Sequence, residues 1–213
     1  EGFRTEKLKT AYARNSSSFT DDASVYLTLY DDAKAVDGDV KNVKITRFSD
    51  LETSLHRSGI GIDTHKLVEN RKLVLGGVEI PFEKGLLGHS DADVLTHAVM
   101  DAILTAIGER DIGVLFPDTD EKYKGISSML LLKEVLSRLD KRGYVVKFVS
   151  ATVACQRPKL NPYFDKIRTS LSHALSICKD NLSLAFTTTE GLGLVGAGDG
   201  ISVIASATVV AKQ

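Results

Sequence analysis

Tryptophan is absent from this 213-residue sequence, and cysteine and proline are scarce, with two and four residues. The two cysteines, Cys155 and Cys178, do not form a CxxC pair, which argues against both a disulfide framework and a thiolate zinc site. No apolar run approaches the roughly 18 residues that would span a bilayer. We therefore predict a soluble protein with no membrane partner.

An excess of charge of one sign is also missing, because the formal net charge is −1 and lysine and arginine form no block. A surface without a basic stripe is a poor match for nucleic acid or for an anionic membrane. The sequence thus predicts a small-molecule partner and no nucleic-acid partner.

The first 56 residues differ in pattern from the rest, so we predict an N-terminal extension over residues 1–56 and one globular domain over residues 57–213. Basic residues among serines and threonines at the start resemble the remnant of an organellar transit segment. A disordered linker is the alternative interpretation. The transit interpretation places the protein in a plastid-type organelle of a eukaryote, whereas in a bacterium it would be cytoplasmic.

Predicted strands and helices alternate after the extension. Short apolar runs predict strands over residues 59–63, 73–81 with a turn at Gly76-Gly77, 144–154, 182–189 and 201–210. Helical spacing predicts helices over residues 91–107, capped by Ser90 or Asp91, over 127–142, and from a third start at Asn161 and Pro162. This order predicts an α/β domain with a single mixed sheet whose helices pack on one face.

Asp63 and His65 are the clearest candidates for metal ligands, because side chains two apart on a strand point to the same side. His97 lies on an otherwise apolar helix and is the candidate for a third ligand. The alternative is that Asp-x-His is a chance pattern and that His97 is a core residue with its hydrogen bonds satisfied. Two imidazoles and one carboxylate suit zinc and leave a fourth tetrahedral position open, as in catalytic sites. Either Asp93 or Asp101, each one turn from His97, is predicted to orient its ring.

Phosphate-binding candidates follow a predicted strand, at Thr187, Thr188, Thr189 and Glu190. Hydroxyls donate to phosphate oxygens, and one carboxylate is enough for magnesium when the substrate supplies further oxygens. A threonine run is also an ordinary feature of a strand. The segment 191–196 matches GxGxxG, but only 17 residues follow it and they predict a strand, so we reject a dinucleotide-binding fold.

Five motifs occur in a distinctive order: GIGIDTH, HSDADVLTHAVMDA, DIGVLFPDTD, QRPKL and TTTEGLG. Over about residues 57–211 the chain resembles the family of 2-C-methyl-D-erythritol 2,4-cyclodiphosphate synthases. The resemblance implies closure of 4-diphosphocytidyl-2-C-methyl-D-erythritol 2-phosphate, a cytidine diphosphate substrate, into a cyclic diphosphate with release of CMP. It also implies an α/β fold, the non-mevalonate isoprenoid pathway, and a homotrimer with active sites shared between subunits.

The resemblance implies zinc ligands at Asp63, His65 and His97 and a ligand for magnesium or manganese at Glu190. The implied substrate contacts are, in chain order, Asp63, His65, His89, Ser90, Asp111, Gly113, Phe116, Asp118, Asp120, Lys159, Thr187, Thr188, Thr189 and Glu190. His89 and Thr188 are implied as catalytic donors to phosphate oxygens, although His89 is alternatively an ordinary loop residue. Lys159 belongs to the implied cytidine-side loop.

The implied chemistry needs little base catalysis, since the attacking 2-phosphate is already an anion and requires positioning. Charge neutralisation by the two cations then stabilises the transition state. The alternatives are a metal-dependent phosphotransfer enzyme or phosphohydrolase, in which water attacks, and a trimeric binding module without activity. Leu194, Ala197 and Asp199 depart from the family pattern, so we expect altered binding at the centre of the implied trimer.

Overall fold

The computed structural model describes residues 2–15, 18–34, 36–39, 42, 44–46 and 56–212. The chain divides into two compact units, Glu1–Leu51 and Glu52–Gln213. Among the described residues, no helix is long and apolar enough to cross a membrane.

The described part of the first unit contains two helices, α1 (Thr5–Arg14) and α2 (Asp22–Tyr26). The Tyr12 hydroxyl donates to Asp22 at 2.6 Å, and the rings of Phe3 and Tyr26 lie 5.1 Å apart between centroids. The transit-remnant and disordered-linker interpretations of residues 1–56 both remain predictions.

The second unit is built on a mixed five-stranded sheet in the order β4-β1-β7-β5-β6. Its strands are β1 (His56–Glu69), β4 (Lys84–Leu86), β5 (Tyr144–Ala154), β6 (Leu182–Thr187) and β7 (Gly200–Ala211). Neighbours are antiparallel except β5 and β6, which are parallel. A separate hairpin joins β2 (Leu73–Leu75) to β3 (Val78–Ile80), so the prediction of a single sheet is incomplete.

Three longer helices cover the sheet and confirm the α/β prediction: α3 (Val94–Ala106), α5 (Ser128–Lys141) and α6 (Phe164–Ala174). Two short ones are α4 (Ile112–Leu115) and α7 (Gly193–Gly196). The core lies between these helices and one sheet face, where alternate residues of β1, β5 and β7 are buried. On the opposite face Ile60, Ile62 and Ile204 are more than half exposed.

Several predicted boundaries are wrong by a few residues. α3 is capped by Asp93, not by Ser90 or Asp91, because the Asp93 carboxylate accepts from the N–H of Thr96 at 3.0 Å. Asn161 begins a 3₁₀ turn, and α6 starts only at Phe164. β6 ends at Thr187, two residues early, because the chain leaves the sheet at Thr188 and turns at Glu190 and Gly191 before α7.

Glycines bring α3 unusually close to β1. A Cβ on Gly61 would lie 2.1 Å from the carbonyl oxygen of Ala98, and one on Gly59 would lie 2.3 Å from that of Ala102. Such distances leave no room for a methyl group. The glycines of GIGID therefore allow the backbone of α3 to pack directly against the strand that carries Asp63.

Candidate active site

Two elements supply the predicted metal ligands. Asp63 and His65 alternate along β1 on its helix-facing side, and His97 lies in the second turn of α3, which crosses that side. The approach of α3 that Gly61 permits brings the third ligand to the first two. The structure therefore joins residues that are 34 positions apart in the chain.

The three side chains converge on one point. Asp63 Oδ2 lies 2.8 Å from His65 Nε2 and 3.1 Å from His97 Nδ1. One ligand atom from each residue lies within 4.8 Å of the other two, which meets the geometric requirement for a shared metal ion. The triad is partly buried, with His97 buried and the other two half-buried.

His65 is held in a fixed tautomer by the backbone. Its Nδ1 lies 2.7 Å from the carbonyl oxygen of Leu87, which can only accept, so Nδ1 carries a proton and donates it. In the neutral ring Nε2 then has the lone pair, directed at Asp63. Gly88 makes this contact possible, because a Cβ there would lie 3.1 Å from His65 Cε1.

Burial and hydrogen bonding act in opposite directions on the Asp63 carboxyl. Burial alone would raise the pKa of Asp63, but hydrogen bonds and charge from His65 and His97 outweigh it and hold that pKa well below its usual range. Burial would likewise lower the pKa of His65, yet the Asp63 carboxylate raises it overall. The site therefore favours positive charge between these groups, as a proton or as a cation.

The expected orienting role of Asp93 or Asp101 is wrong. The Asp93 carboxylate binds the N–H groups of Gly76 and Gly77 at 2.9 and 2.7 Å, in the turn between β2 and β3. Asp101 accepts from the N–H of Ile112 at 2.8 Å and so fixes the start of α4. Both carboxylates are occupied by backbone donors, and hydroxyl groups contact His97 instead.

A cavity of about 400 Å³ opens beside the triad. Its lining residues are Asp63, His65, Gly88, His89, Ser90, His97, Asp101, Ile112, Gly113, Phe116, Asp118, Tyr123 and Leu131. The volume is in the range of small-molecule sites. The triad forms one wall, so a ligand in the cavity would contact a bound metal.

The cavity brings together five of the predicted substrate contacts besides the triad: His89, Ser90, Gly113, Phe116 and Asp118. The other two acidic residues from this region are not among its lining residues. Asp111 accepts from the N–H of Val114 as the cap of α4, and Asp120 forms an ion pair with Lys122 at 2.9 Å.

Sequence reasoning missed four lining residues, Gly88, Ile112, Tyr123 and Leu131, and it named Asp101 only as an orienting residue for His97. The place of Asp101 at the cavity was detectable, since it lies one helical turn from His97. Burial is the largest cause of its raised pKa, and the negative charges of Asp111 and Asp63 add to it. Tyr123 and Leu131 come from distant segments and reach the site only through packing.

The predicted phosphate group lies at another place on the same sheet. Thr187, Ala154, Ser202 and Thr64 form one row across β6, β5, β7 and β1. Three strand spacings separate Thr187 from Thr64, which amounts to about 14 Å. The groups that follow β6 therefore do not share the cavity of the triad within one chain.

The turn after β6 presents its polar groups outward. The Thr188 hydroxyl donates to Glu190 at 2.6 Å, and the Thr189 hydroxyl donates to the carbonyl oxygen of Leu192 at 2.6 Å. Exposed Lys159 follows the neighbouring parallel strand β5. These loops share the carboxyl ends of parallel strands, where α/β sheets commonly bind ligands.

Comparison with known proteins connects these features to one family. Residues 56–210 match the YgbB family model. The chain is 57% identical over 146 residues to the 2-C-methyl-D-erythritol 2,4-cyclodiphosphate synthase of Clostridium acetobutylicum, which covers 68% of this chain and 94% of that protein. A solved synthase in a CDP-bound form has a TM-score of 0.66 and 39% identity, covering 71% of this chain and 98% of its own.

A longer protein matches the chain more completely. The bifunctional IspDF of Campylobacter jejuni has a TM-score of 0.72 and 35% identity, and the match covers 98% of this chain. The chain spans 58% of that protein's length. The match therefore extends beyond the second unit into the first.

Proposed function

The chain belongs to the YgbB family, that of the 2-C-methyl-D-erythritol 2,4-cyclodiphosphate synthases, and from this premise we propose its reaction. The enzyme closes 4-diphosphocytidyl-2-C-methyl-D-erythritol 2-phosphate into the cyclic diphosphate and releases CMP, as a phosphorus–oxygen lyase of isoprenoid biosynthesis. The observation that carries this proposal is the convergence of Asp63, His65 and His97 on one point in the cavity wall.

Zinc fits the triad better than a harder cation does. Two imidazole nitrogens and one carboxylate oxygen are a common catalytic zinc set, whereas magnesium and calcium prefer oxygen ligands. The site already favours positive charge, as the pKa shifts of Asp63 and His65 indicate. A zinc ion held there would polarise the diphosphate at the phosphorus that is attacked.

The protein's remaining task is to position the attacking group. The substrate's 2-phosphate is anionic at neutral pH, so closure needs proximity and exclusion of water rather than a strong base. His89 and Ser90, at the cavity wall beside the triad, would donate to the diphosphate. Gly113 and Asp118, across the cavity, would receive the erythritol end.

The cytidine end would bind at the loops that follow β5 and β6. Thr187 and Thr188 offer hydroxyls to phosphate oxygens, and Glu190 offers one carboxylate to magnesium or manganese. Lys159 would contact the nucleotide. A related synthase was solved in a CDP-bound form, which supports a cytidine nucleotide as the ligand.

A homotrimer would complete the site. The nucleotide loops and the triad of one chain lie about 14 Å apart across the sheet, so a neighbouring chain is needed to bring them together around one substrate. The sheet face without helices supplies the contact surface, because Ile62 and Ile204 are paired across β1 and β7 and exposed there. Head-to-tail contacts of this kind close into rings.

The oligomer is tested by light scattering after size exclusion. The parent should show three times the 23.1 kDa of the chain, and a variant with Ile62→Glu and Ile204→Glu should run as a monomer. Mixing that variant with parent should not restore its activity. A parent that is active as a monomer would contradict the shared site.

The first unit can be explained in a second way besides a transit remnant, as part of another domain. The match to the bifunctional protein from Campylobacter jejuni covers 98% of the chain, whereas the match to the CDP-bound synthase covers only 71%. We therefore also propose that residues 1–51 belong to a further domain that precedes the synthase domain. Immunoblotting of the native protein from its source tests this, since a transit segment is removed in the organelle and a domain is retained.

The reaction is tested by chromatographic detection of CMP. The protein with zinc and magnesium should release CMP from the cytidylated substrate, chelator treatment should abolish release, and zinc added back together with magnesium should restore it. The His65→Ala variant is expected to lose activity at least about 100-fold, since a ligand is removed. No CMP from the zinc-loaded parent would overturn the proposed reaction and favour the inactive binding module.

A further inference from the structure

A buried serine contacts the far side of the His97 ring. Ser128 is the first residue of α5 and is fully buried. Its hydroxyl oxygen lies 2.9 Å from His97 Nε2, the nitrogen that faces away from Asp63. The Ser128 hydroxyl in turn donates to the carboxylate of Asp91, and its backbone N–H donates to the same carboxylate at 3.0 Å.

The direction of these hydrogen bonds follows from the number of protons. A serine hydroxyl has one proton, and a carboxylate can only accept, so the Ser128 proton points to Asp91. The oxygen of Ser128 can then only accept from the ring, which requires a proton on His97 Nε2. The Ser90 oxygen lies farther from the same nitrogen, at 3.2 Å, and can accept from that proton as well. The neutral ring consequently has its lone pair on Nδ1, 3.1 Å from Asp63 Oδ2.

The contacts through Ser128 fix the tautomer of His97, as the carbonyl oxygen of Leu87 fixes the tautomer of His65. Both rings are fixed from outside the triad, so that each presents a lone pair to the same point. We propose that Asp91 and Ser128 are positioning residues that set the tautomer and the orientation of His97 for metal binding. The inference rests on the proposed metal role of the triad and assigns two residues that do not contact the metal or the substrate.

The carboxylate of Asp91 is held where its negative charge is favoured. Ser127 caps α5, so the N–H of Ser128 belongs to the first turn and has no partner within the helix. An anion at that end is stabilised by the helix dipole. Arg71 stabilises the backbone next to Asp91 by donating a hydrogen bond to the carbonyl oxygen of Ser90 at 2.9 Å. Asp91 thus has a fixed place from which to direct the Ser128 hydroxyl.

An isosteric substitution of Asp91 should reverse the direction of the hydrogen bond between Ser128 and His97. In Asp91→Asn the amide oxygen keeps the shorter backbone bond, from the N–H of Ser128 at 3.0 Å, and the longer one, from the N–H of Asp93 at 3.3 Å, is lost, which leaves the amide NH₂ facing the hydroxyl oxygen. The hydroxyl proton is then displaced towards His97 Nε2, and the ring proton moves to Nδ1. That tautomer has no lone pair for the metal, although size and packing are preserved.

The test compares Asp91→Asn and Ser128→Ala with Ser127→Ala in the full chain. Ser127→Ala removes a hydroxyl from the same helix end, where it accepts from Met129 at 3.3 Å without touching His97. The first readout is Zn²⁺ affinity by competition with a chromophoric chelator. We expect about 10- to 100-fold weaker binding in the first two variants and parental affinity in Ser127→Ala.

The second readout is the tautomer of His97 in the metal-free protein, from long-range ¹H–¹⁵N correlation spectra. We expect an Nε2 proton in the parent and an Nδ1 proton in Asp91→Asn. Thermal unfolding excludes a loss of fold. An Nε2 proton together with parental zinc affinity in Asp91→Asn would overturn the inference. If the tautomer and affinity change as expected while the parent releases no CMP, the proposed reaction fails and the positioning role stands.

Discussion

Replacing Gly61 by alanine tests how the fold assembles the metal site. The added Cβ would lie 2.1 Å from the carbonyl oxygen of Ala98, where ordinary contact begins at 3.4 Å, so the two backbones must separate by 3.4 − 2.1 = 1.3 Å. Ala98 directly follows His97. The displacement therefore reaches a ligand whose Nδ1 lies 3.1 Å from Asp63.

Two energies compete in Gly61→Ala. Alanine reduces the entropy of the unfolded chain, which stabilises by about 0.4–1 kcal/mol. Overpacking against a helix backbone costs about 1–3 kcal/mol or more, so we expect a net loss of about 1–2 kcal/mol. Metal–ligand distances tolerate only about 0.2 Å, so zinc affinity should fall at least about 10-fold.

The assay combines urea unfolding with zinc competition. Ser58→Ala is the matched control, because Ser58 lies on the same strand with its side chain on the opposite face, near the Thr208 hydroxyl at 3.2 Å. That variant should retain zinc affinity. Parental stability and parental zinc affinity in Gly61→Ala would refute the view that close packing of α3 on β1 builds the site.

Three further predictions concern groups around the site. Asp93→Ala should destabilise the protein by about 3 kcal/mol or more in urea, because it leaves the buried N–H groups of Gly76 and Thr96 and the partly buried N–H of Gly77 without an acceptor; a loss under 1 kcal/mol would contradict this. A methyl group in Gly88→Ala would lie 2.9 Å from the Cβ of buried Ala92 and 3.1 Å from His65 Cε1, so zinc affinity and urea stability should both fall; unchanged affinity would count against the contact. Burial raises the pKa of Cys155 to about 11, so at pH 8 roughly one thiol in a thousand is ionised and only exposed Cys178 should react rapidly with a thiol reagent. Rapid reaction of both thiols in the folded protein would be the opposite outcome.

Short-range rules were sufficient to select Asp63, His65 and His97 as candidate metal ligands, and the structure brings these three together. Alternation along a strand places Asp63 and His65 on one side, and an apolar helix with a single histidine offers the third ligand. The confirmed α/β class followed from the order of apolar runs and turns. These features depend on residues that are neighbours in the sequence or related by one regular period.

Long-range packing decided what could not be predicted. Asp93 caps α3 because the turn at Gly76-Gly77 folds against it, a contact that no local pattern encodes. The hydrogen bond between Ser128 and His97 likewise joins α5 to α3, and the two residues are 31 positions apart in the chain. The order of the strands in the sheet sets the distance between Thr187 and the triad. A shared active site depends on contacts between chains, which no local pattern in the sequence encodes.

The most direct test of the proposed function is phosphorus NMR of the products formed by the parent and by His97→Ala. Cyclisation by the substrate's own phosphate gives the cyclic diphosphate together with CMP, whereas attack by water gives an open-chain phosphate. We predict cyclic diphosphate from the parent with zinc and magnesium, and none from His97→Ala. Open-chain phosphate from the parent would contradict the account and identify the enzyme as a metal-dependent hydrolase.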